Sequence, residues 1–376
     1  MRLLILNWFD RAHPLAGGAE VFLHETFGRL AQAGNEVTLL CCPFVGGRRD
    51  VELDGIHVRR RGEFWTFHLQ VPLIYARELA QQRFDLVVDF TNKVPFAAPW
   101  WAGRPVMAVA LHLFGRTIFA ETSLLAATYV YTMERLLPLL YRKTPFLTIS
   151  QSTQADLVKR GIDPARITVV HSGVDHQRFR PRRGARASRP TILYLGRVRR
   201  YKGIDLLFHA TRALADEIED LQLWIAGDGR DLPRLRREAA RLGVAGRVTF
   251  FGRLSDTQKV ALLQQATVVA QPSSKEGWGL TVLEANACGT PVVASAVPGL
   301  RESVRPGETG LLAPPGDVTT WVTQLRRLLT DQALHTQMGT AAKQWAAQFF
   351  WDTTATTVAL RCQDVSGSGR VENYRD

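Results

Sequence analysis

The sequence of 376 residues has only four cysteines, at positions 41, 42, 288 and 362. They lack the spacing of a disulfide framework or a metal site, and adjacent cysteines do not bridge easily. We therefore expect reduced thiols and a cytoplasmic protein. No apolar run reaches the ~18–20 residues that a transmembrane helix needs. The run Met1–Asn7 is too short for a signal peptide and is typical of a first strand.

Acidic residues are missing from one stretch, which explains the net charge of +12. Ten Lys or Arg and no acid lie between His176 and Lys202, and without those ten the chain has 37 basic against 35 acidic residues. No basic helical stripe with interleaved aromatics is present, so we expect no nucleic-acid partner. A peripheral contact with anionic lipid stays open as an interpretation.

Catalytic signatures of several enzyme classes are also missing. The sequence has no Gly-x-Ser-x-Gly, His-Glu-x-x-His or Gly-x-x-x-x-Gly-Lys-[Ser/Thr], which removes the motif basis for a serine hydrolase, a zincin or a P-loop enzyme. The stretch after the first strand is not Gly-x-Gly-x-x-Gly, so the dinucleotide fingerprint is absent as well.

What is present is a long alternation of apolar strands and helical runs, which predicts two doubly wound α/β domains. With 46% apolar and 22% charged residues, the chain has the composition of a globular protein. We predict a first domain at 1–177, a basic linker at 178–190 and a second domain at 191–348. The segment 349–376 is predicted as a helix and tail returning to the first domain, with the polar tail beginning at Gln363. Other expected elements include a helix at Leu73–Gln82 and another at Leu124–Leu140.

The most informative stretch is Glu276–Glu284, which lies between the apolar strands Val268–Gln271 and Val292–Ala294. A Gly-x-Gly turn there feeds a helix, whose free N–H groups and dipole favour a phosphate. Carboxylates beside such a site suit sugar hydroxyls. We hypothesise a nucleotide sugar with its ribose on Glu284 and its transferred sugar on Glu276. By itself, the stretch is equally compatible with a βαβ turn that carries two solvent-facing acids.

Two other loops follow strands in the same way. Gly17 and Gly18 precede a helix and allow close approach of a ligand. Arg197 and Lys202 follow the first strand of the second domain, where open α/β sheets bind ligands, and both suit a diphosphate. Without a ligand, the first loop would be an ordinary glycine-rich turn. The second would be a solvated basic loop.

Weaker candidates follow other strands. Arg253 and Leu254 follow a strand at the predicted sheet edge. There they could border the base of a bound nucleotide. His112 closes the strand Val106–Leu111, and a single histidine in that place is more often structural.

Together these residues closely resemble the retaining, nucleotide-sugar-dependent glycosyltransferases of family 4, also called group 1, over nearly the whole chain to about residue 355. That family has the GT-B fold, in which two Rossmann-like domains face each other across a cleft. The resemblance rests on Glu276-x7-Glu284 with Gly289–Ala294 behind it. Supporting motifs are Arg197 with Lys202-Gly203, Gly227-Asp228-Gly229, His171–Asp175, Gly17–Glu20 and Thr309–Leu312.

The resemblance implies a role for each matching position. Arg197 and Lys202 would hold the donor diphosphate, and Glu284 and Glu276 the ribose and the sugar. The remaining implied contacts are backbone groups near Gly279, Leu280 and Thr281, the glycines Gly17 and Gly18 beside the phosphates, and His112 near the sugar. The sequence departs from the family at two positions. The family often has Asn where this chain has Ser172, and commonly Phe where this chain has Trp278.

The expected activity is transfer of a hexose from a UDP- or GDP-linked sugar to a saccharide or lipid-linked acceptor with retention. Polysaccharide or glycolipid assembly at the inner membrane face is the setting that the resemblance implies. No clear Asp-x-Asp pair marks a metal site, so we expect metal-independent activity and no cofactor. A 2-epimerase or a glycoside phosphorylase of the same fold, and a non-enzymatic nucleotide or anionic-polymer binder, remain alternatives.

Overall fold

The computed structural model describes residues 1–92, 94–182 and 184–367. The chain divides into two compact units. The first contains Met1–Gly173 together with the helix that begins at Trp351, and the second contains Val174–Phe350. The segment predicted as a linker, of which Arg183 is not described, lies within the second unit. There the guanidinium of Arg186 donates 2.8 and 2.9 Å hydrogen bonds to Gly289 O and Thr290 Oγ1.

The first unit is built on a sheet whose order is β3-β4-β2-β1-β5-β6-β7-β8. Its strands are β1 (Arg2–Leu6), β2 (Glu36–Cys41), β3 (Asp50–Leu53), β4 (Ile56–Arg60), β5 (Leu86–Phe90), β6 (Val106–Val109), β7 (Phe146–Thr148) and β8 (Ile167–Val169). Its α-helices before residue 173 are α1 (Gly18–Gln32), α2 (Phe67–Ile74), α3 (Leu124–Arg135), α4 (Leu137–Leu140) and α5 (Gln151–Val158).

The predicted parallel sheet is confirmed with one exception, since β3 pairs with β4 in antiparallel fashion. The sequence prediction missed β3 because its side chains are only exposed or half-buried. The helix predicted at Leu73–Gln82 is wrong in its bounds: α2 begins at Phe67, and a π turn and a 3-10 turn follow it to Gln82. Exposed leucines on α2 obscure its amphipathic period. The helix predicted at Leu124–Leu140 is divided at Leu136.

The second unit has a sheet of order β11-β10-β9-β12-β13-β14, in which every pairing is parallel. Its strands are β9 (Thr191–Leu195), β10 (Gln222–Ala226), β11 (Val248–Gly252), β12 (Val268–Gln271), β13 (Val292–Ser295) and β14 (Gly310–Ala313). Its α-helices are α6 (Asp205–Leu214), α7 (Leu232–Arg241), α8 (Asp256–Gln265), α9 (Leu280–Ala287), α10 (Pro298–Ser303), α11 (Val318–Thr330) and α12 (Gln332–Ala346). A last helix, α13 (Trp351–Ser366), packs on α1 of the first unit.

Helices cover both faces of this second sheet. Successive residues of β9 enter different cores, with Ile192 and Tyr194 in one and Leu193 and Leu195 in the other. A strand that is buried on both faces is what a doubly wound parallel sheet requires. The predicted fold class is therefore confirmed for the two α/β units.

The C-terminal segment differs in part from its prediction. The predicted polar tail from Gln363 begins inside helix α13, which continues to Ser366, and residues 368–376 lie outside the described part. All four cysteines are buried free thiols, as predicted. Among the described residues, no helix is both long enough and apolar enough to cross a bilayer.

Candidate functional site

The strand order of the second unit places its site-bearing loops side by side. The chain runs from β9 outward through β10 to β11, then returns to add β12 on the other side of β9. The point where the order reverses, between β9 and β12, is where open α/β sheets bind ligands. The loop after β9 carries Arg197 and Lys202, and the loop after β12 carries Glu276. The two basic residues and this acid therefore belong to neighbouring strand ends, as predicted.

Short contacts join these two loops. Gly203 has φ +62°, and a Cβ on it would lie 2.6 Å from the carbonyl oxygen of Pro272, so only glycine fits between the loops. The amide of Ser274 donates a 2.8 Å hydrogen bond to Tyr201 O. Farther back, the side chain of Gln271 donates a 3.0 Å hydrogen bond to Leu195 O.

Glu276 is held by a cation and a hydroxyl. Its Oε1 accepts a hydrogen bond from Lys202 Nζ, and a second of 2.8 Å from Ser273 Oγ. The two charged side chains are 18% and 12% exposed, so both still reach the surface. Burial lowers the pKa of Lys202, but the neighbouring Glu276 carboxylate outweighs it, and the net direction is upward. Lys202 therefore stays protonated, and two of its three donors remain for anionic partners after the hydrogen bond to Glu276.

Glu284 lies on the first turns of α9 and is almost fully buried. Its Oε1 accepts a hydrogen bond from Lys259 Nζ of α8. Its Oε2 is buried and has no hydrogen-bond partner among the described residues. Burial raises the pKa of Glu284, and the Lys259 charge acts in the opposite direction. An orphaned carboxylate oxygen of this kind indicates a missing hydrogen-bond donor.

The turn between the two acids is fixed by glycine. Gly279 precedes α9 with φ +88°, and a Cβ there would lie 2.8 Å from Leu300 Cδ2. Leu280 and Thr281 form the first turn of α9, where backbone N–H groups have no partner in the helix. Trp278 is 3% exposed and packs its ring against Phe349 at 5.6 Å, so its side chain belongs to the core.

The other predicted residues of this unit make fewer contacts with the two acids and their lysines. The carbonyl oxygen of Arg197 accepts a 2.8 Å hydrogen bond from Tyr194 Oη, which anchors the backbone of that loop. Leu254 packs against the core, whereas Arg253 is exposed. Both follow β11 at the outer edge of the sheet, two strands from β9.

The remaining predicted residues belong to the first unit and are described within it. Gly17 is the residue before α1, and its amide donates a 2.6 Å hydrogen bond to Glu20 Oε2. Gly18 is exposed, and a Cβ on it would meet nothing within 4 Å. His112 is half-buried just after β6, with its ring 4.6 Å from that of Phe114.

Two residues that contact the acids were missed from the sequence. Ser273 lies three residues before Glu276, and the contact between their side chains depends on a turn that the sequence pattern does not reveal. Lys259 is 25 residues from Glu284 and lies on a helix with no distinctive motif. Its ring contact, with Nζ 5.2 Å from the centroid of Phe179, positions it further.

Two lysine-paired carboxylates flank the glycine turn, with Glu276 partly exposed and Glu284 buried. Such a pair is suited to a ligand with hydroxyl groups. The adjoining cations and the N-terminus of α9 are suited to its anionic part. Together with the doubly wound sheets, this arrangement is typical of α/β proteins that bind phosphorylated sugars or nucleotides at a switch point.

Comparison with known families defines the class more closely. The family model described as Glycosyltransferase Family 4 matches residues 16–178, and that described as Glycosyl transferases group 1 matches residues 175–345. Between them, the two models cover most of the chain. The chain belongs to these group 1, family 4 glycosyltransferases of GT-B fold, which confirms the resemblance inferred from its motifs.

A curated relative agrees with this membership. The D-inositol 3-phosphate glycosyltransferase of Streptomyces bingchenggensis is 35% identical over 233 residues, which cover 57% of this chain and 51% of the relative. The chain thus spans about half the length of the curated relatives it matches.

The structural likenesses extend over nearly the whole chain. Sucrose-phosphate synthase from Thermosynechococcus elongatus has a TM-score of 0.83 at 22% identity, covering 98% of this chain and 99% of its own. HepE from Anabaena, in complex with UDP and glucose, has a TM-score of 0.78 at 20% identity, covering 97% and 100%. At these identities the likeness is one of fold.

Proposed function

We propose that this protein transfers a hexose from a nucleoside diphosphate sugar to an acceptor hydroxyl. The observation that carries the proposal is the pair of carboxylates, the partly exposed Glu276 and the buried Glu284, each held by a lysine beside the switch point of the second sheet. Family membership supports the reaction class, and the UDP and glucose bound by HepE support the class of donor.

Each polar group has a distinct task in this proposal. The unpartnered Oε2 of Glu284 accepts the hydrogen bond of a ribose hydroxyl, which satisfies a buried acceptor. Glu276 accepts hydrogen bonds from the transferred sugar. Lys202 stays on Glu276 and directs its remaining donors to the diphosphate, which Arg197 also binds. The first N–H groups of α9, at Leu280 and Thr281 behind Gly279, meet sugar and phosphate.

The finer contacts are proposed with the same ligand. Gly17 and Gly18 let the backbone of the first unit approach the phosphates, and His112 contributes to the sugar site. Arg253 and Leu254 border the base. These assignments make separate predictions, because each residue contacts a different part of the donor.

The configuration at the anomeric carbon is retained in this proposal. The acceptor oxygen attacks from the face that the diphosphate leaves, so the C1–phosphate bond breaks as the new C1–oxygen bond forms. The acceptor proton passes to the departing diphosphate oxygen. Arg197 and Lys202 stabilise the negative charge that develops there, the task that a metal ion has in other transferases. We therefore propose that activity survives chelation.

The proposed setting is assembly of a polysaccharide or glycolipid at the cytoplasmic face of a membrane. A saccharide or lipid-linked acceptor would bind the first unit. The same fold also suits a nucleotide-sugar 2-epimerase, and consumption of donor without any acceptor would identify that activity.

A donor screen followed by product analysis tests the proposal. UDP- and GDP-linked hexoses are compared by thermal stabilisation, which grows with ligand concentration over the dissociation constant. The donor that stabilises best is then incubated with candidate acceptors, with and without EDTA, and the anomeric configuration of the product is read by NMR. Glu276→Ala should abolish transfer, while circular dichroism shows that the variant is still folded. Unchanged turnover in this variant, or inversion at C1, would contradict the corresponding part of the proposal.

A further inference from the structure

The first turn of α1 contains a buried acid, Glu20, to which the proposed donor site gives no task. Its Oε2 accepts a 2.6 Å hydrogen bond from the amide of Gly17, the residue before the helix. Its Oε1 accepts a 3.1 Å hydrogen bond from Asn7 Nδ2 at the end of β1. Because each oxygen accepts from an N–H group, these contacts favour the ionised form of Glu20.

Asn7 fixes the position of this carboxylate. Its side chain is fully buried, and Nδ2 also donates a 2.7 Å hydrogen bond to Phe9 O. Both partners of Nδ2 are acceptors, so these contacts determine which end of the amide carries the nitrogen. Oδ1 of Asn7 is buried and has no hydrogen-bond partner in the described part of the chain. The hydrogen bonds to Nδ2 and to the backbone therefore hold Glu20 beside Gly17.

Glu20 places a negative charge where the proposed function brings a diphosphate. The amides of Gly18 and Ala19 lie in the first turn of α1, where N–H groups have no partner within the helix and the helix dipole is positive. A carboxylate in the same turn offsets part of this positive potential and repels an anion. Glu20 also accepts the hydrogen bond of the Gly17 amide, so this N–H group is not available to a phosphate.

The second unit has the opposite arrangement of charge. The first turn of α9 contains no acid, and the loop after β9 supplies the cations Arg197 and Lys202. Glu284 is the fifth residue of α9, and its carboxylate is paired with Lys259. We therefore expect the second unit to bind a diphosphate strongly and the end of α1 that carries Glu20 to bind it weakly.

We propose that Glu20 weakens the hold of the first unit on the diphosphate, so that the nucleoside diphosphate dissociates after the sugar is transferred. This inference rests on the proposed function, which brings the phosphates to Gly17 and Gly18. Glu20 acts through the electrostatic potential at the start of α1 and does not contact the reacting atoms. A terminal phosphate loses its second proton at about pH 6, so the free product carries one more negative charge than the donor. The repulsion therefore acts more strongly on the product than on the donor.

Calorimetric titration of the full chain with UDP and with GDP tests the proposal. Glu20→Gln removes the charge, and the Kd of the nucleotide that binds the wild type should fall about two- to fivefold, as expected for one charge near a helix end. Glu20→Asp keeps the charge on a shorter side chain and should not tighten binding. The gain in Glu20→Gln should shrink as salt rises. In steady-state kinetics, the inhibition constant of the product nucleotide should fall more than the donor KM.

The sign of the change separates an electrostatic role of Glu20 from a structural one. A residue that only supports the fold would lose nucleotide affinity in both variants. Glu25→Gln, at an acid of the same helix that pairs with Arg29, is the matched control and should leave affinity unchanged. Circular dichroism melting confirms that each variant is folded. The inference is overturned if Glu20→Gln binds the nucleotide no more tightly than the wild type, or if Glu20→Asp tightens binding equally. A wild type that binds neither nucleotide overturns the proposed function, and this inference with it.

Discussion

In the second unit, the ammonium of Lys202 and the carboxylate of Glu276 form an ion pair that joins the loops after β9 and β12. Glu276→Gln keeps the shape of this group but removes its charge, so it leaves a cation in a largely buried place. We expect turnover to fall about 100-fold or more, as when a preorganised electrostatic group is lost. The pKa of Lys202 should also fall, since burial then acts without the opposing carboxylate.

A surface pair in the same unit provides the control. Glu308 is 55% exposed and pairs with Arg305, so Glu308→Gln should change the free energy of unfolding by less than about 1 kcal/mol and leave turnover unchanged. Steady-state kinetics with the identified donor, and melting curves of both variants, make the comparison. Equal losses of activity in the two variants would show that Glu276 has no special role.

Through its effect on the pKa of Glu284, Lys259 should determine the pH below which donor affinity is lost. In the proposed function, donor binding needs an ionised Glu284, so affinity should fall as the pH drops through the pKa of that carboxyl. Burial already raises this pKa above 4.5, and Lys259 limits the rise. Lys259→Met should therefore raise the pKa further and move the loss of affinity to higher pH. Lys259→Arg should restore most of the wild-type profile.

The measurement is the donor KM, or nucleotide affinity by calorimetry, as a function of pH. Lys343→Met, at a lysine on α12, is the matched control and should leave the profile unchanged. A uniform loss of affinity at every pH would assign Lys259 to direct ligand binding or to stability instead of to the ionisation of Glu284.

These two lysines also show how far the sequence could predict the site. Lys202 was predicted because it follows a buried strand within a motif. Lys259 was not, since its contact with Glu284 depends on how α8 and α9 pack, and no spacing along the chain encodes that. The ion pair between Lys202 and Glu276 was missed for the same reason, although each residue was named.

The fold shows a similar division. Apolar strands such as β9 and β12 are buried on both faces, so their composition alone predicts a parallel sheet. Helix α2 was misplaced because periodicity assumes that apolar residues face inward, and Leu69 and Leu73 face solvent. The wrong bounds predicted for α2 therefore follow from its exposed leucines.

A substitution at Gly18 can test donor binding without disturbing the fold. A Cβ at Gly18 would meet no atom within 4 Å, and the residue is the first of α1, so Gly18→Leu has room in the protein. We expect equal or slightly higher stability, because glycine is a poor helix former, but a higher donor KM if phosphates approach this backbone. Gly246→Leu, at another glycine with open space around it, should change neither quantity. Unaltered kinetics in Gly18→Leu would remove this glycine from the donor site.

Asp89 of β5 should make the stability of the first unit depend on pH. Its carboxylate is fully buried, and Oδ2 accepts hydrogen bonds from Tyr141 Oη at 2.6 Å and Ala98 N at 3.1 Å. Burial raises its pKa from 3.8 to about 6, despite these hydrogen bonds. The folded chain therefore holds a proton that the unfolded chain releases between these values.

The sign follows from proton linkage, which lowers the free energy of unfolding with rising pH wherever the folded state binds more protons. The stabilisation from Asp89 should be fully present below pH 3.8 and lost above about pH 6, a change of about 3 kcal/mol at most. Asp89→Asn cannot titrate, so its free energy of unfolding should lack this contribution. Urea denaturation of both proteins from pH 4 to pH 7, followed through a probe in the first unit, measures the difference. If wild type and variant keep a constant difference over that range, Asp89 does not carry the raised pKa.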